Sequence, residues 1–260
     1  MPKKALLIGI NYIGMQGELN GCINDIIHAK NFLMTYHGYK EEEIVMLSEV
    51  SKNKKPTKSN IIHWMNWLVK DNTSDSQLYL HYSGHGAYTR DRNGDENDGK
   101  DETIVPLDYT KTGQITDDEL KTILVEPLVK GAKMMCVFDC CHSGTVLDLH
   151  CNYKVDSNVN TNTFTINVDK HYKPSNGDVI LISGCLDSQT SMDSFEAGKS
   201  QGALTYCLLE VYKLYQTKKK PVSYKALMKN LTVLMKQKQY EQIPQFSASH
   251  WIDFNANVQL

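Results

Sequence analysis

A chain of 260 residues, 41% of them apolar and 22% charged, can bury a substantial core and has the length of one large α/β domain or two small ones. A formal net charge of −2 and a pI near 6.5, with lysines scattered apart from 218–220, leave no electrostatic footprint for nucleic acid or an anionic membrane. Seven cysteines in irregular spacing exclude a complete disulfide framework, contain no paired C-x-x-C of a zinc site, and read as reduced thiols. The opening MPKKALLIGINY has too short an apolar run to span a bilayer and no signal-peptide cleavage pattern, so a cytoplasmic protein is expected. No Pro/Gly/Ser-rich linker and no repeat period divides the chain, which predicts a single domain over 1–260.

In chain order, short apolar runs alternate with segments of helical period. A strand is predicted over 5–10, a helix over 22–36, a strand over 44–47, a helix over 58–70 and a strand over 77–82. Residues 89–101, TRDRNGDENDGKD, are polar and without period and read as an exposed loop. Thr116 opens a T-x-x-E capping box with Glu119, starting a helix over 117–129 that Pro127 kinks or ends. A strand over 134–138, a surface loop over 150–176, a strand over 179–183 and helices over 203–216 and 223–236 complete the series. Several strands carry apolar residues on both parities, as parallel strands covered on both faces do. The expected class is α/β, with a central, mostly parallel sheet between helices.

Two strand ends carry unusual chemistry. MMCVFDCCHSG leaves its strand through Asp139, Cys140 and Cys141 into a Ser-Gly turn, and LYLHYSGHG places His85 between two glycines. In open parallel sheets the ligand crevice lies at the carboxyl ends of the strands, so both groups are expected to face one crevice. Alternate side chains share a face, which groups Asp139 with Cys141 and Ser83 with His85. A thiol beside an imidazole is more ionised, and the imidazole then protonates a leaving amine, so Cys141 and His85 suffice for acyl transfer. The glycines flanking His85, Gly86 among them, offer backbone N–H groups to an oxyanion. His142 adjoins Cys141 but diverges from it; His81 and Cys140 read as packed.

The pieces KALLIGINY, LNGCINDI, HYSGHGA, DETIVPLD, ITDDEL, FDCCHSGT, VILISGCLDSQTS and GALTY follow one another from Lys4 to about Tyr206. In this order they resemble the metacaspases, cysteine peptidases of the caspase-like superfamily, with Cys141 56 positions after His85. The resemblance implies a caspase-like fold with a large-subunit-like part (1–149), a connecting loop (150–176) and a small-subunit-like part (177–260). It implies Cys141 as the nucleophile, since the family's nucleophile directly precedes His-Ser-Gly. With its first strand at residue 5, the chain resembles the short type without a prodomain.

A pocket for a substrate aspartate needs guanidinium groups, and only Arg90 and Arg92 are present, both in one polar loop. A pocket for Arg or Lys needs carboxylates, and Asp139 beside the nucleophile is one. By resemblance, Cys22, Asp25, Ser83 and Asp139 line the pocket for the residue before the cut bond. Asp25 also falls in a helix first turn, where the dipole alone favours a carboxylate. Asp95, Glu96, Asp98, Asp101 and Glu102 crowd one loop, but EF-hand spacing fails: counted from Asp91, position 6 is Glu96 where glycine is required. The resemblance nonetheless implies a regulatory Ca²⁺ site at Asp101, Asp117, Asp118 and Asp148.

The expected activity is a calcium-activated, self-processing, monomeric endopeptidase acting on protein or peptide substrates after Arg or Lys, with Lys154, Lys170 and Lys173 as self-cleavage candidates. The competing classes are a silent caspase-like scaffold, marked by loss of Cys or His, and a calcium-binding regulator. A legumain- or separase-like peptidase is opposed by SGCLDSQTS.

Overall fold

The apolar runs form the strands of one twisted sheet because their residues must be buried on two faces at once. In a computed structural model, residues 1–91, 99–140, 145–155, 164–169, 171–184, 193–196, 199–240 and 242–259 are described. The elements run β1 (Lys3–Gly9), α1 (Cys22–His37), β2 (Ile44–Ser48), α2 (Lys58–Val69), β3 (Gln77–Ser83), β4 (Gly86–Arg90) and β5 (Lys100–Ile104). There follow α3 (Tyr109–Thr112), β6 (Ile115–Thr116), α4 (Asp117–Leu120), β7 (Lys133–Asp139), β8 (Cys151–Val155), β9 (Phe164–Val168) and β10 (Asp178–Ser183). The chain ends through β11 (Asp193–Glu196), β12 (Lys199–Gly202), α5 (Ala203–Thr217), α6 (Tyr224–Gln237) and β13 (Gln245–Ala248).

Eight strands form the main sheet in the order β2-β1-β3-β7-β10-β13-β8-β9. The first five pair in parallel, and β13, β8 and β9 pair antiparallel at one side. The pleat sorts the core into two layers. Ala5, Leu7, Tyr79, Met135, Val137, Ile180 and Ile182 pack with α1, α5 and α6. Leu6, Ile8, Leu80, Tyr82, Cys136, Phe138 and Leu181 pack with α2 and the segment after α4. Cys140 belongs to the second layer, on the parity expected for a packed thiol, and the five described cysteines are all buried and outside any disulfide.

Three expectations change. The stretch 150–176 is not simply a loop: β8 pairs with β13 on one side and β9 on the other, widening the sheet. Cys151 and Tyr153 are buried while Lys154 is exposed, a period-2 pattern that the polar residues between them obscure. The polar stretch 89–101 is flanked by a hairpin, β4 with β5, that joins β6 in a separate three-stranded sheet; 92–98 lie outside the described residues. The helix expected over 117–129 is α4 followed by a wider π-type turn, Lys121–Val125, and it ends before Pro127. The capping box at its start holds: Thr116 Oγ1 accepts from the Glu119 N–H at 3.2 Å, and Glu119 Oε2 accepts from the Thr116 N–H at 3.2 Å.

Candidate active site

Register sets the site. Ser83 at the end of β3 pairs with Asp139 at the end of β7, and His85 follows two residues beyond Ser83 at the carboxyl edge of the sheet. Cys141, the expected nucleophile, and His142 lie outside the described residues; Cys140, the covalent neighbour of Cys141, is anchored in the core.

His85 is half-buried and fixed from several directions. Its ring lies against the Tyr12 ring, with centroids 4.6 Å apart. Its N–H donates to Tyr12 Oη at 3.1 Å, and its carbonyl accepts from Tyr82 Oη at 2.7 Å and from the Val105 N–H at 3.2 Å. Tyr12 Oη in turn donates to the Val105 carbonyl at 2.6 Å. Burial pushes the Tyr12 phenol far above its ordinary pKa, so it remains a donor. His85 Nε2 lies 2.6 Å from the Gly17 carbonyl. A carbonyl only accepts, so Nε2 carries the proton and Nδ1 is the basic nitrogen. Gly17 has φ +81 and a Cβ there would press on the imidazole, so glycine serves both the turn and the close approach. The bond from the Val105 N–H to the His85 carbonyl makes Gly86 and Ile104 a non-hydrogen-bonded pair of the β4–β5 ladder, which turns the Gly86 N–H away from β5.

The four residues expected to line the specificity pocket are all buried, and three of them meet. Ser83 Oγ donates to Asp25 Oδ2 at 2.6 Å. Asp25 accepts from the Gly202 N–H at 2.9 and 3.1 Å, and Asp139 Oδ2 accepts from the Thr205 N–H at 2.8 Å. Both carboxylates therefore cap the N-terminus of α5, whose first amides have no helical acceptor. Gly202 packs directly on the pair: a Cβ there would collide with both carboxylates. Cys22 is buried at the start of α1, one turn before Asp25 and on the same helix face.

The acidic residues divide. Carboxylate oxygens of Asp101, Asp117 and Asp118 all lie within 4.8 Å of one another. Asp101 and Asp117 are buried, and burial pushes the Asp117 carboxyl up to about 7. Three hard oxygen donors so close fit a Ca²⁺ ion, which would relieve their repulsion. Asp148 is not in that group; its Oδ2 lies 3.9 Å from Lys121 Nζ, which sits over the Tyr172 ring. The turn carrying Asp148 is tied to the acidic strand by Thr145 Oγ1, which donates to Glu102 Oε2 at 2.7 Å. Asp95, Glu96 and Asp98 lie outside the described residues.

Sequence reasoning did not assign roles to Tyr12, Gly17, Gly202 or Thr205. The fragments GINY and GALTY carry Tyr12, Gly202 and Thr205, whose partners are distant in the chain, and Gly17 lies outside every fragment that was singled out.

Known proteins resemble this chain in sequence and in fold. Residues 3–150 match the family described as "Metacaspase, peptidase C14 domain". "Metacaspase-1" of Mycosarcoma maydis is 39% identical, over 97% of this chain and 72% of that one. A Geobacter sulfurreducens protein of solved crystal structure superposes with a TM-score of 0.68 at 24% identity, covering 99% of this chain and 98% of that one. Caspase-1 from Spodoptera frugiperda superposes with a TM-score of 0.50 at 11% identity, covering 95% of this chain and 86% of that one, and shares the fold alone. With its mostly parallel sheet between helices and a family match over more than half its length, the chain belongs to the metacaspases, peptidases of the C14 family with a caspase-like fold.

Proposed function

We propose that this peptidase cuts after Arg or Lys, with Cys141 as nucleophile and His85 as its base, and that Ca²⁺ activates it. The observation that carries the specificity is the buried Asp25, Ser83 and Asp139 cluster at the same sheet edge as His85. A substrate cation entering a low-dielectric site needs paired carboxylates, and two are placed there, whereas the one described arginine, Arg90, lies exposed on the β4 hairpin. His85 Nδ1 takes the thiol proton and returns it to the leaving amine, while Gly17 and Tyr12 keep the ring from turning. The Gly86 N–H is a donor for the oxyanion.

Asp101, Asp117 and Asp118 would hold the ion, with Asp148 joining after release from Lys121. Bound Ca²⁺ neutralises the carboxylates and ties the β4–β5 hairpin to the segment after Cys141. Self-cleavage is assigned to Lys170 or Lys173. Lys154 sits in β8, hydrogen-bonded between β13 and β9, and cannot present an extended loop to an active site, whereas Lys173 is exposed outside any strand; Lys170 lies outside the described residues. The substrates are proteins, and with β8 and β9 covering β13 the chain acts as a monomer. Among the described residues, no helix is long and apolar enough to cross a membrane.

Labelling of Cys141 by a thiol reagent, with and without an Arg chloromethyl ketone, tests the assignment. The ketone should block the label, and Cys141→Ala should abolish both labelling at that position and hydrolysis. An active Cys141→Ala variant would overturn the dyad.

A further inference from the structure

His81 is a buried imidazole for which the mechanism above has no use. It lies on β3 two residues before Ser83, on the same face and one pleat deeper, and is 1% exposed. Its Nδ1 is 3.3 Å from Tyr79 Oη and its Nε2 is 3.1 Å from Thr205 Oγ1. Burial pushes its pKa down to about 3, so at working pH the ring is neutral, with one N–H and one lone pair, and each nitrogen has a partner. Thr205 is fully buried in the first turn of α5, and its own N–H is the one that donates to Asp139 Oδ2. A helical threonine hydroxyl commonly turns back onto its own helix. This one reaches across to β3, 124 residues away in the chain.

We propose that His81 is a positioning residue for substrate specificity: through Thr205 it fixes the rotation of the first turn of α5 and so holds the amide that aims the Asp139 carboxylate into the pocket. The proposal rests on Asp25 and Asp139 forming the pocket for a basic side chain. The link His81, Thr205, Asp139 joins β3 to β7 through a helix from the far half of the chain. A shift of α5 in response to substrate or to processing would then change specificity without touching His85.

The test uses the full chain and four variants, each confirmed as folded by circular dichroism at the assay temperature. Thr205→Val removes the hydroxyl and keeps the shape, and His81→Asn is too short to reach Thr205. Thr205→Ser and His81→Gln keep a group able to make the bond. The first two should raise KM for Arg peptides about tenfold with little change in kcat, and lower the preference for Arg over Gln before the cut bond. Alkylation of Cys141 by iodoacetamide should keep its rate. Thr205→Ser and His81→Gln should restore most of the affinity, and the double variant His81→Asn with Thr205→Val should be no worse than either alone. Unchanged KM and unchanged preference in folded Thr205→Val would overturn the proposal, even should His81→Asn fail to fold. Wild type and Asp139→Asn are assayed alongside. A wild type without preference for Arg, or Asp139→Asn without a rise in KM, overturns the pocket and this proposal together, whereas a normal pocket with indifferent His81 and Thr205 variants overturns this proposal alone.

Discussion

Removing one oxygen from Tyr12 should separate the positioning of His85 from the binding of substrate. In Tyr12→Phe the ring remains against the imidazole, but the His85 N–H loses its acceptor at 3.1 Å. The Val105 carbonyl, which loses a donor at 2.6 Å, retains only the longer branch, at 3.3 Å, of the single Tyr82 O–H that is shared with the His85 carbonyl at 2.7 Å. One polar group at the rim of the core is thus left without its partner, which costs about 2 kcal/mol of stability. For a chain of this size that lowers Tm by about 5 °C. The pocket carboxylates, Asp25 and Asp139, are held by α5 and not by Tyr12, so KM for an Arg peptide should stay constant. The freedom gained by His85 should appear in kcat, as a loss of about tenfold, equivalent to about 1.4 kcal/mol. Steady-state kinetics at 25 °C beside a thermal melt read both quantities. A lowered Tm with unchanged kcat would refute the positioning role of Tyr12, and a rise in KM would refute the separation of the two parts of the site.

Gly202→Ala tests the pocket from the other side. The backbone φ of −68 suits alanine, so the whole effect comes from a Cβ forced against Asp25 and Asp139. Stability should fall by about 1–3 kcal/mol, and KM for basic peptides should rise; an unchanged KM would place substrate elsewhere. A second prediction concerns acid. His81 and His37 have pKa values pushed down by burial, to about 3 and about 4, so the unfolded chain binds their protons first and stability is lost as pH falls below about 6.5. Each unit is worth about 1.4 kcal/mol, so His81 alone removes about 3 kcal/mol between pH 6.5 and 4. Tm measured across that range should fall, and fall less in His81→Gln; parallel curves would contradict the assignment. For calcium, activity should rise with the ion at high micromolar to millimolar levels, Mg²⁺ should substitute poorly, and Asp148→Ala should weaken the response without altering thiol labelling of Cys141. Equal rates in excess EGTA and in millimolar Ca²⁺ would show that the acidic cluster serves only to cap α4 and to accept local backbone N–H groups.

What the sequence revealed and concealed follows from the range of each interaction. The five parallel strands were legible because burial leaves apolar runs such as ALLIG and MMCVF. The capping box at Thr116 was legible because both of its bonds are local. β8 and β9 were not, since at the antiparallel side of the sheet polar residues alternate with apolar ones, and Ile166 and Val168 on β9 remain exposed. Strand parity grouped Asp139 with Cys141 and Ser83 with His85, but the pairing of Ser83 with Asp139 across β3 and β7 is set by register, which parity alone does not give. It could not show that Gly202 and Thr205, more than sixty residues beyond Asp139, supply the amides that hold the two carboxylates. Nor could it show that a glycine in the loop before α1 sets the tautomer of His85.

The measurement that bears most directly on the central claim is hydrolysis of a fluorogenic peptide panel with Arg, Lys or Asp before the cut bond, in Ca²⁺ and in chelator, by the wild type and by Cys141→Ala. Cleavage of the Arg and Lys peptides alone, dependent on Ca²⁺ and absent from Cys141→Ala, is the expected result. Preferential cleavage after Asp, or turnover that survives loss of Cys141, would contradict it.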